Sequence, residues 1–238
     1  MTRPLFRDDP YRREAAGTVV AHTPEGGIVL DASLFYPTGG GQPGDSGRVS
    51  WTGGALEIAT AVKGQGDEIV LVPSQPLALP PVGAVLKQEI DWDRRHRHMR
   101  VHTALHLLSV VLPLPVTGGQ IGTDKGRLDF AMPEPPEDRD AVEAALNALI
   151  DRDLVVSEEW ISEAELAVNP GLVKTMSVQP PRGAGRIRLV RIGEGAEQVD
   201  LQPCGGTHVG RTAEIGRIRL GRIENKGKQN RRVNIHLD

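Results

Sequence analysis

The chain has 238 residues, one cysteine and a net charge of −3, with 39% hydrophobic and 25% charged residues. These values are ordinary for a globular protein with one large or two small domains. A single cysteine excludes an intramolecular disulfide and fits the reducing cytoplasm. The longest apolar run, LHLLSVVLPLPV, is too short and too interrupted by proline to span a membrane, and the N-terminus lacks the apolar core of a signal peptide.

The first ninety residues are predicted to be all-β. Short β-branched runs recur between turn residues, at 18–21, 27–30, 47–51, 55–62, 68–72 and 85–90. Gly or Pro lies in nearly every gap, which favours a small barrel or sandwich. We place the domain boundary near residues 91–95, with a β domain at 1–92 and a second domain at 93–238.

The second domain is predicted to be α+β. Residues 95–112 and 136–154 show helical spacing of apolar residues, and residues 118–131 form a strand pair around a turn. A capping box at residue 162 starts a short helix that ends at Gly171. Three further strands are predicted at 186–192, 214–220 and 231–237.

Two short boxes, HTALH at 102–106 and CGGTH at 204–208, carry the metal-binding residue types. Each box spaces its two ligands four residues apart, and on a helix that spacing puts both imidazoles on one face. Three imidazoles and one thiolate suit zinc, so we predict one Zn²⁺ ion per chain. The alternative for either box alone is a pair of unremarkable polar residues, but the only cysteine in the chain completes the second box. The predicted ligands are His102, His106, Cys204 and His208.

Charge is unevenly distributed. Residues 133–165 carry eleven acidic against two basic residues, a net of −9, and residues 211–238 carry eight basic against three acidic, a net of +5. A second basic run is DRRHRHMR at 93–100. Each run is either a solvated face or an RNA-backbone surface.

The boxes and the glycine-rich sequence FYPTGGGQPGD at 35–45 together resemble the editing region of alanyl-tRNA synthetases, and most closely the free-standing AlaX editing proteins of the medium type. The sequences DWDRRHRHMRVHTALHLL at 91–108 and TGGQIG at 117–122 are similar to the family's segments around the first box. The resemblance extends from about residue 17 to the end. It implies a small translation-protein-like β-barrel, followed by the α+β editing domain that threonyl- and alanyl-tRNA synthetases share.

The resemblance also implies the substrate. The chain is expected to act in trans as an aminoacyl-tRNA deacylase on Ser-tRNA(Ala), and secondarily on Gly-tRNA(Ala), because 238 residues leave no room for an aminoacylation domain. Four protein ligands form the closed shell that is typical of structural zinc. One ligand is therefore loose, or the ion becomes five-coordinate, or zinc only binds and orients the substrate.

Several residues are expected to contact the substrate. The resemblance places Gly39, Gly40, Gly41 and Gln42 near the metal, although on the residues alone a tight turn between strands explains the glycines as well. Gln120 matches a family position for substrate recognition, and Thr117, Thr123 and Asp129 are further candidates, each with a surface or structural role as the alternative. Phosphate contacts with tRNA(Ala) are expected from eight basic residues: Arg94, Arg95, Arg97, Arg100, Lys226, Lys228, Arg231 and Arg232. A monomer is favoured.

Two other functions fit the same residues. A non-catalytic, zinc-stabilised RNA-binding module needs the four ligands and the basic tail but no polar pocket. A zinc hydrolase of another charged tRNA or of a small aminoacyl ester needs no tRNA surface. A zinc protease is excluded, because HTALH has no glutamate after its first histidine.

Overall fold

The computed structural model describes residues 1–175 and 185–238. The chain divides into two compact units, Met1–Arg97 and His98–Asp238. Among the described residues, no helix is both long and apolar enough to cross a membrane. The division falls inside a helix, and the domain boundary at residues 92/93 stays a prediction.

The N-terminal unit, Met1–Arg97, is built on a closed β-barrel. Its elements in chain order are β1 (Arg3–Pro4), α1 (Leu5–Asp8), β2 (Glu14–His22), β3 (Ile28–Leu30), β4 (Ala32–Ser33), β5 (Gly47–Trp51), β6 (Gly54–Lys63), β7 (Ile69–Pro73) and β8 (Val85–Ile90). The barrel order is β2-β3-β7-β6-β5-β8, while β1 and β4 form a separate parallel pair. Adjacent barrel strands are antiparallel, and the predicted small barrel is confirmed.

Alternation along the strands explains the barrel. In β8 the side chains of Leu86, Gln88 and Ile90 are buried while their neighbours are more exposed. Since successive strand residues point to opposite faces, one face of each strand fills the interior and the other meets solvent. The interior is apolar and includes Val49 and Leu71, both fully buried.

The C-terminal unit, His98–Asp238, is α+β as predicted. Its elements are α2 (Trp92–Val111, which begins in the first unit), β9 (Val116–Ile121), β10 (Lys125–Ala131), α3 (Arg139–Asp151), β11 (Val156–Ser162), α4 (Glu163–Val168), β12 (Arg186–Ile192), β13 (Asp200–Pro203), β14 (Ile218–Asn225) and β15 (Asn230–Leu237). One sheet has the order β14-β15-β10-β9 and the other has the order β11-β12-β13.

The helix α2 is buried on every side along its central part. Each residue from 101 to 109 is buried, so the helix is a core element whose burial extends beyond the apolar stripe that the spacing predicts. It packs on β10 at Gly126, where a Cβ atom would lie 2.5 Å from Val101 Cγ1 and 3.1 Å from Leu105 Cδ1. Glycine is required there because the helix touches the sheet backbone.

The predicted elements are present, but some bounds differ and some strands were not predicted. The strand predicted at 214–220 begins later, since Thr212–Ile215 is a 3-10 helix and β14 starts at Ile218. The strands β1, β4, β11 and β13 were not predicted. The capping box at Ser162 is present, with its hydroxyl accepting from Glu165 N, but the helix ends at Val168 and a 3-10 turn, Pro170–Leu172, follows.

Candidate metal centre

The two boxes meet in space. His102 and His106 lie one turn apart on α2, and Cys204 and His208 lie in the loop that follows β13. One ligand atom from each residue lies within 4.8 Å of every other. The three histidines are buried and Cys204 is partly exposed. The structure therefore brings together all four predicted ligands in one cluster that can hold a metal ion.

The spacing of the ligand atoms fits a small tetrahedral ion. Cys204 Sγ lies 3.4 Å from His102 Nε2 and 3.3 Å from His208 Nε2. Zinc bonds of about 2.3 Å to sulfur and about 2.0–2.1 Å to nitrogen, at tetrahedral angles, place sulfur and nitrogen ligands about 3.5 Å apart. The three rings pack with centroids 4.2–5.3 Å apart, and one ligand atom from each lies within 4.8 Å of the others.

Electrostatics favour the protonation states that a metal needs. Burial alone would raise the pKa of the Cys204 thiol, but the electrostatic effects of His102 and His208 lower it well below its usual value. Burial, followed by the effect of His102, lowers the pKa of His208 well below its usual value. A thiolate and a neutral imidazole are the metal-binding forms of these side chains.

His106 differs from His208. Burial would lower the pKa of His106, but hydrogen bonds with Asp200 and Cys204 raise it to about 9. A metal that binds His106 therefore displaces a proton held in the metal-free chain.

Three residues other than the four ligands contact the ligands, and sequence reasoning missed all three. Asp200 Oδ2 lies 3.0 Å from His106 Nδ1, Gln202 Nε2 lies 3.1 Å from the same atom, and Thr103 Oγ1 lies 3.1 Å from His208 Nδ1. One signal was available for two of them. Asp200, Gln202 and Cys204 are spaced by two, and a strand places such residues on one face.

The glycine-rich segment forms a tight turn in the N-terminal unit. Gly39 and Gln42 exchange two backbone hydrogen bonds of 3.0 and 2.9 Å. Gly40 and Gly41 have φ values of 57° and 84°, which only glycine adopts readily. The two glycines are exposed and Gln42 is fully buried. The turn explains the glycines, and their approach to the metal stays a prediction.

The prediction made for Arg95 has to be corrected. Its side chain is 0% exposed and forms an ion pair with Asp45, the last residue of the glycine-rich segment. Its remaining donors bond to the backbone oxygens of Pro10 and Leu34, at 3.0 and 2.9 Å. Because every donor group of the guanidinium is satisfied inside the protein, the predicted phosphate contact at Arg95 is wrong. Arg95 instead anchors the glycine-rich segment.

The four predicted substrate-contact residues lie on β9, β10 and the turn between them. Gln120 Oε1 accepts from Arg127 Nε at 3.2 Å, and Arg127 also pairs with Asp129 at 2.7 Å. Thr117 Oγ1 lies 3.1 Å from both Asp129 O and Asn230 Oδ1, and Thr123 bonds to Asp124. Gln120 and Asp129 thus share one polar network on the sheet, and their contact with a substrate stays a prediction.

The other predicted phosphate contacts have protein partners. Arg232 binds Asp129 through two hydrogen bonds, Lys226 pairs with Glu224, and Arg100 donates to Ile215 O. Arg231 donates to Asn225 Oδ1 and to backbone oxygens, including Pro133 O. Arg94 also donates to a backbone oxygen. Lys228 and Arg97 are exposed.

Comparison with known proteins gives one family match. Residues 187–234 match the family described as the threonyl and alanyl tRNA synthetase second additional domain. The match covers β12, β13, the CGGTH loop, β14 and most of β15. It therefore includes two of the four ligands of the cluster.

Full-length relatives extend the match to the whole chain. The alanyl-tRNA editing protein AlaX-M of Methanosarcina acetivorans is 35% identical over 247 residues, which cover 100% of this chain and 99% of the relative. The AlaX-M protein of Saccharolobus solfataricus is 34% identical, with 98% of each chain covered. The alanine–tRNA ligase of Pyrobaculum arsenaticum is 35% identical over 94% of this chain, but only 25% of the ligase is covered.

Proposed function

The chain belongs to the family of AlaX-M alanyl-tRNA editing proteins, and on that premise we propose that it hydrolyses Ser-tRNA(Ala), and secondarily Gly-tRNA(Ala), in trans at a zinc site. The observation that carries the proposal is the convergence of His102, His106, Cys204 and His208, from two boxes a hundred residues apart, within 4.8 Å. Action in trans is supported by relatives that match along nearly their whole length.

The cluster suits zinc by its donor set and spacing. Three imidazole nitrogens and one thiolate are borderline and soft ligands, and the sulfur–nitrogen distances of 3.3 and 3.4 Å match tetrahedral coordination. When bound, zinc supplies Lewis acidity that polarises an ester carbonyl or lowers the pKa of a water molecule.

The side chain at which a substrate reaches the cluster is Cys204. It is the only partly exposed member of the four, and the adjacent Gly205 has no atom within 4 Å of the position where a Cβ would lie. An aminoacyl ester approaching from this side meets a thiolate that can loosen or shift as the substrate binds. Of the three ways to reconcile four ligands with catalysis, a loose Cys204 has the most structural support.

Discrimination rests on the serine hydroxyl. A synthetase pocket built for alanine excludes serine and glycine by only about 10–200-fold, because the side chains differ by one small group. An editing site with a polar partner for the hydroxyl favours serine and spares alanine, which would leave that partner unpaired. Thr117 and Thr123 are the proposed partners, whereas Gln120 and Asp129 share the sheet face opposite to the one that packs on α2 and are assigned to the polar face of the sheet. Thr117 is half-buried beside Asp129 and Asn230, so its hydroxyl is already oriented.

For tRNA we propose the polar face of the sheet β14-β15-β10-β9. The opposite face is buried through Leu128, Val233 and Ile235, so the intervening residues point the other way. Basic residues on or beside the proposed face are Lys125, Arg127, Arg219, Arg222, Lys226, Lys228 and Arg232. Arg231 and Arg100 complete the proposed phosphate contacts from the basic runs. Their existing partners hold these cations in fixed positions.

The test is deacylation of Ser-, Gly- and Ala-charged tRNA(Ala) by wild type and Cys204→Ala. We expect wild type to deacylate Ser-tRNA(Ala) and spare Ala-tRNA(Ala), and a folded Cys204→Ala variant to lose the activity. A wild-type protein that carries stoichiometric zinc but leaves all three substrates intact would instead be an RNA-binding module.

Salt separates the tRNA editor from a hydrolase of small esters. Each lost phosphate contact lowers the slope of log affinity against log salt by about 1. Arg222→Gln is expected to show this effect for tRNA, and the exposed Arg48→Gln in the barrel is the matched control. Full activity on a bare aminoacyl-adenosine ester, independent of salt, would contradict the tRNA surface.

A further inference from the structure

Two of the four clustered ligands have a buried partner on the ring nitrogen that faces away from the cluster. For His106 the partner is Asp200, whose carboxylate is fully buried and lies 3.0 Å from Nδ1. The same oxygen accepts a hydrogen bond from Gln202 Nε2 at 2.8 Å, and the other oxygen pairs with Lys174 Nζ at 2.5 Å. The carboxylate therefore has partners on both oxygens.

This arrangement fixes the tautomer of His106. Asp200 forms an ion pair with Lys174 through one oxygen and accepts from Gln202 Nε2 through the other, so the group is a carboxylate and can only accept. Nδ1 of His106 must then carry a proton and donate it to Asp200. In the neutral imidazole, the form that binds a metal, the remaining nitrogen Nε2 then has its lone pair available.

The partner of His208 is Thr103, the second residue of the first box. The Thr103 hydroxyl donates its single proton to Met99 O at 3.0 Å, the usual back-bond of a helical threonine. The oxygen also accepts from Val209 N at 3.3 Å. It can therefore only accept from His208 Nδ1, 3.1 Å away. Nε2 of His208 is the nitrogen that lies 3.3 Å from Cys204 Sγ, so this imidazole also presents Nε2 to the cluster.

We propose that Asp200 and Thr103 are positioning residues that hold His106 and His208 in the Nδ1–H tautomer, with Nε2 directed at the metal. The inference rests on the proposed metal site and deepens it. Lys174 neutralises the buried Asp200 charge, and Gln202 fixes the orientation of the carboxylate. Such outer partners fix ring orientation and raise ligand basicity, and their loss typically lowers metal affinity by about 10–100-fold.

The experiment measures the zinc affinity of metal-free protein by competition with a chromophoric chelator. The variants are Asp200→Asn, which keeps the side-chain shape but removes the charge, and Thr103→Val, which keeps the shape but removes the hydroxyl. Each is expected to weaken zinc binding by about 10–100-fold. Thr103→Ser, which keeps the hydroxyl, and Asp8→Asn, from an exposed ion pair with Arg3, are expected to stay within about twofold of wild type.

A cobalt spectrum separates positioning from folding. Cobalt-loaded Asp200→Asn is expected to show altered visible bands, because the orientation of His106 changes, whereas a variant that is only less stable keeps the wild-type spectrum in its folded fraction. If Asp200→Asn does not fold, the Thr103→Val and Thr103→Ser pair carries the test at the other histidine.

The outcomes are distinguishable. If wild type binds zinc and both Asp200→Asn and Thr103→Val bind it within about twofold of wild type, the positioning role is refuted and the proposed zinc site stands. If wild type binds no zinc, the metal site itself is refuted and the positioning role with it. Affinity is measured without tRNA, so neither result depends on deacylation.

Discussion

Gly126 on β10 packs against helix α2, which carries His102 and His106. Replacing this glycine tests that packing directly. In Gly126→Ala the new methyl would lie 2.5 Å from Val101 Cγ1 and 3.1 Å from Leu105 Cδ1. Val101 is fully buried and has one favoured rotamer in a helix, so it cannot turn away. Since Val101 and Leu105 directly precede His102 and His106, relieving the clash moves the imidazoles.

Two opposing effects set the change in unfolding free energy of Gly126→Ala. Overpacking a tight core costs about 1–3 kcal/mol, while alanine restricts the unfolded chain more than glycine and stabilises by about 0.4–1 kcal/mol. The steric term is the larger, so we expect a net loss of about 1–2 kcal/mol in unfolding free energy and weaker zinc binding. Gly171→Ala is the control, since no atom lies within 4 Å of its Cβ position, and we expect a change below about 0.5 kcal/mol.

A double-mutant cycle identifies the cause. Val101→Ala alone costs about 2 kcal/mol through lost burial and a cavity. In Gly126→Ala/Val101→Ala the added methyl occupies space that the Val101 methyls have vacated. In urea unfolding of the metal-free proteins, the double variant should therefore lose at least about 1 kcal/mol less unfolding free energy than the sum of the two single variants. Additive losses, or an unchanged stability in Gly126→Ala, would refute the proposed contact between helix and strand.

Three further predictions concern stability. Arg95→Met leaves the buried Asp45 carboxylate unpaired and should lower the unfolding free energy by about 3–5 kcal/mol in urea, whereas Arg48→Met at an exposed 3.8 Å pair should change it by less than about 0.5 kcal/mol. Burial opposes ionisation of Asp129, but Arg232 and Arg127 lower its pKa, so its pairing stabilises the fold above about pH 4 and is lost as the pH falls through the lowered value. Asp129→Asn should therefore cost about 1 kcal/mol at pH 7 and nothing at strongly acidic pH; a cost that persists there would contradict the ion pairing. Removing the metal with a chelator should lower the melting temperature and added zinc should restore it, and a melting temperature indifferent to both would contradict a folded-state site.

The sequence predicts local structure well where a repeating pattern is long. The short β-branched runs between Gly and Pro in the first ninety residues predict a small barrel or sandwich, and β5 and β8 have the predicted bounds. The helix around His102 and His106 follows from spacing alone, as does the capping box at Ser162. The prediction fails for β13, because four residues, Asp200–Pro203, show too little of a period to be told from a loop. Only pairing with β12 defines that strand.

That short strand explains why sequence reasoning found the metal ligands but not their partners. Ligand residue types are conspicuous in any chain with one cysteine, whereas nothing in the sequence distinguishes Asp200 and Gln202 from other polar residues. Their role is visible only in the fold, where β13 places both beside His106. The Arg95 prediction fails for a related reason. Arginine in a basic run resembles a phosphate contact, and only the fold shows that Asp45, fifty residues earlier, occupies the guanidinium. In both cases the decisive partner is distant in sequence. The roles of these polar residues therefore follow from long-range contacts in the fold and not from local sequence patterns.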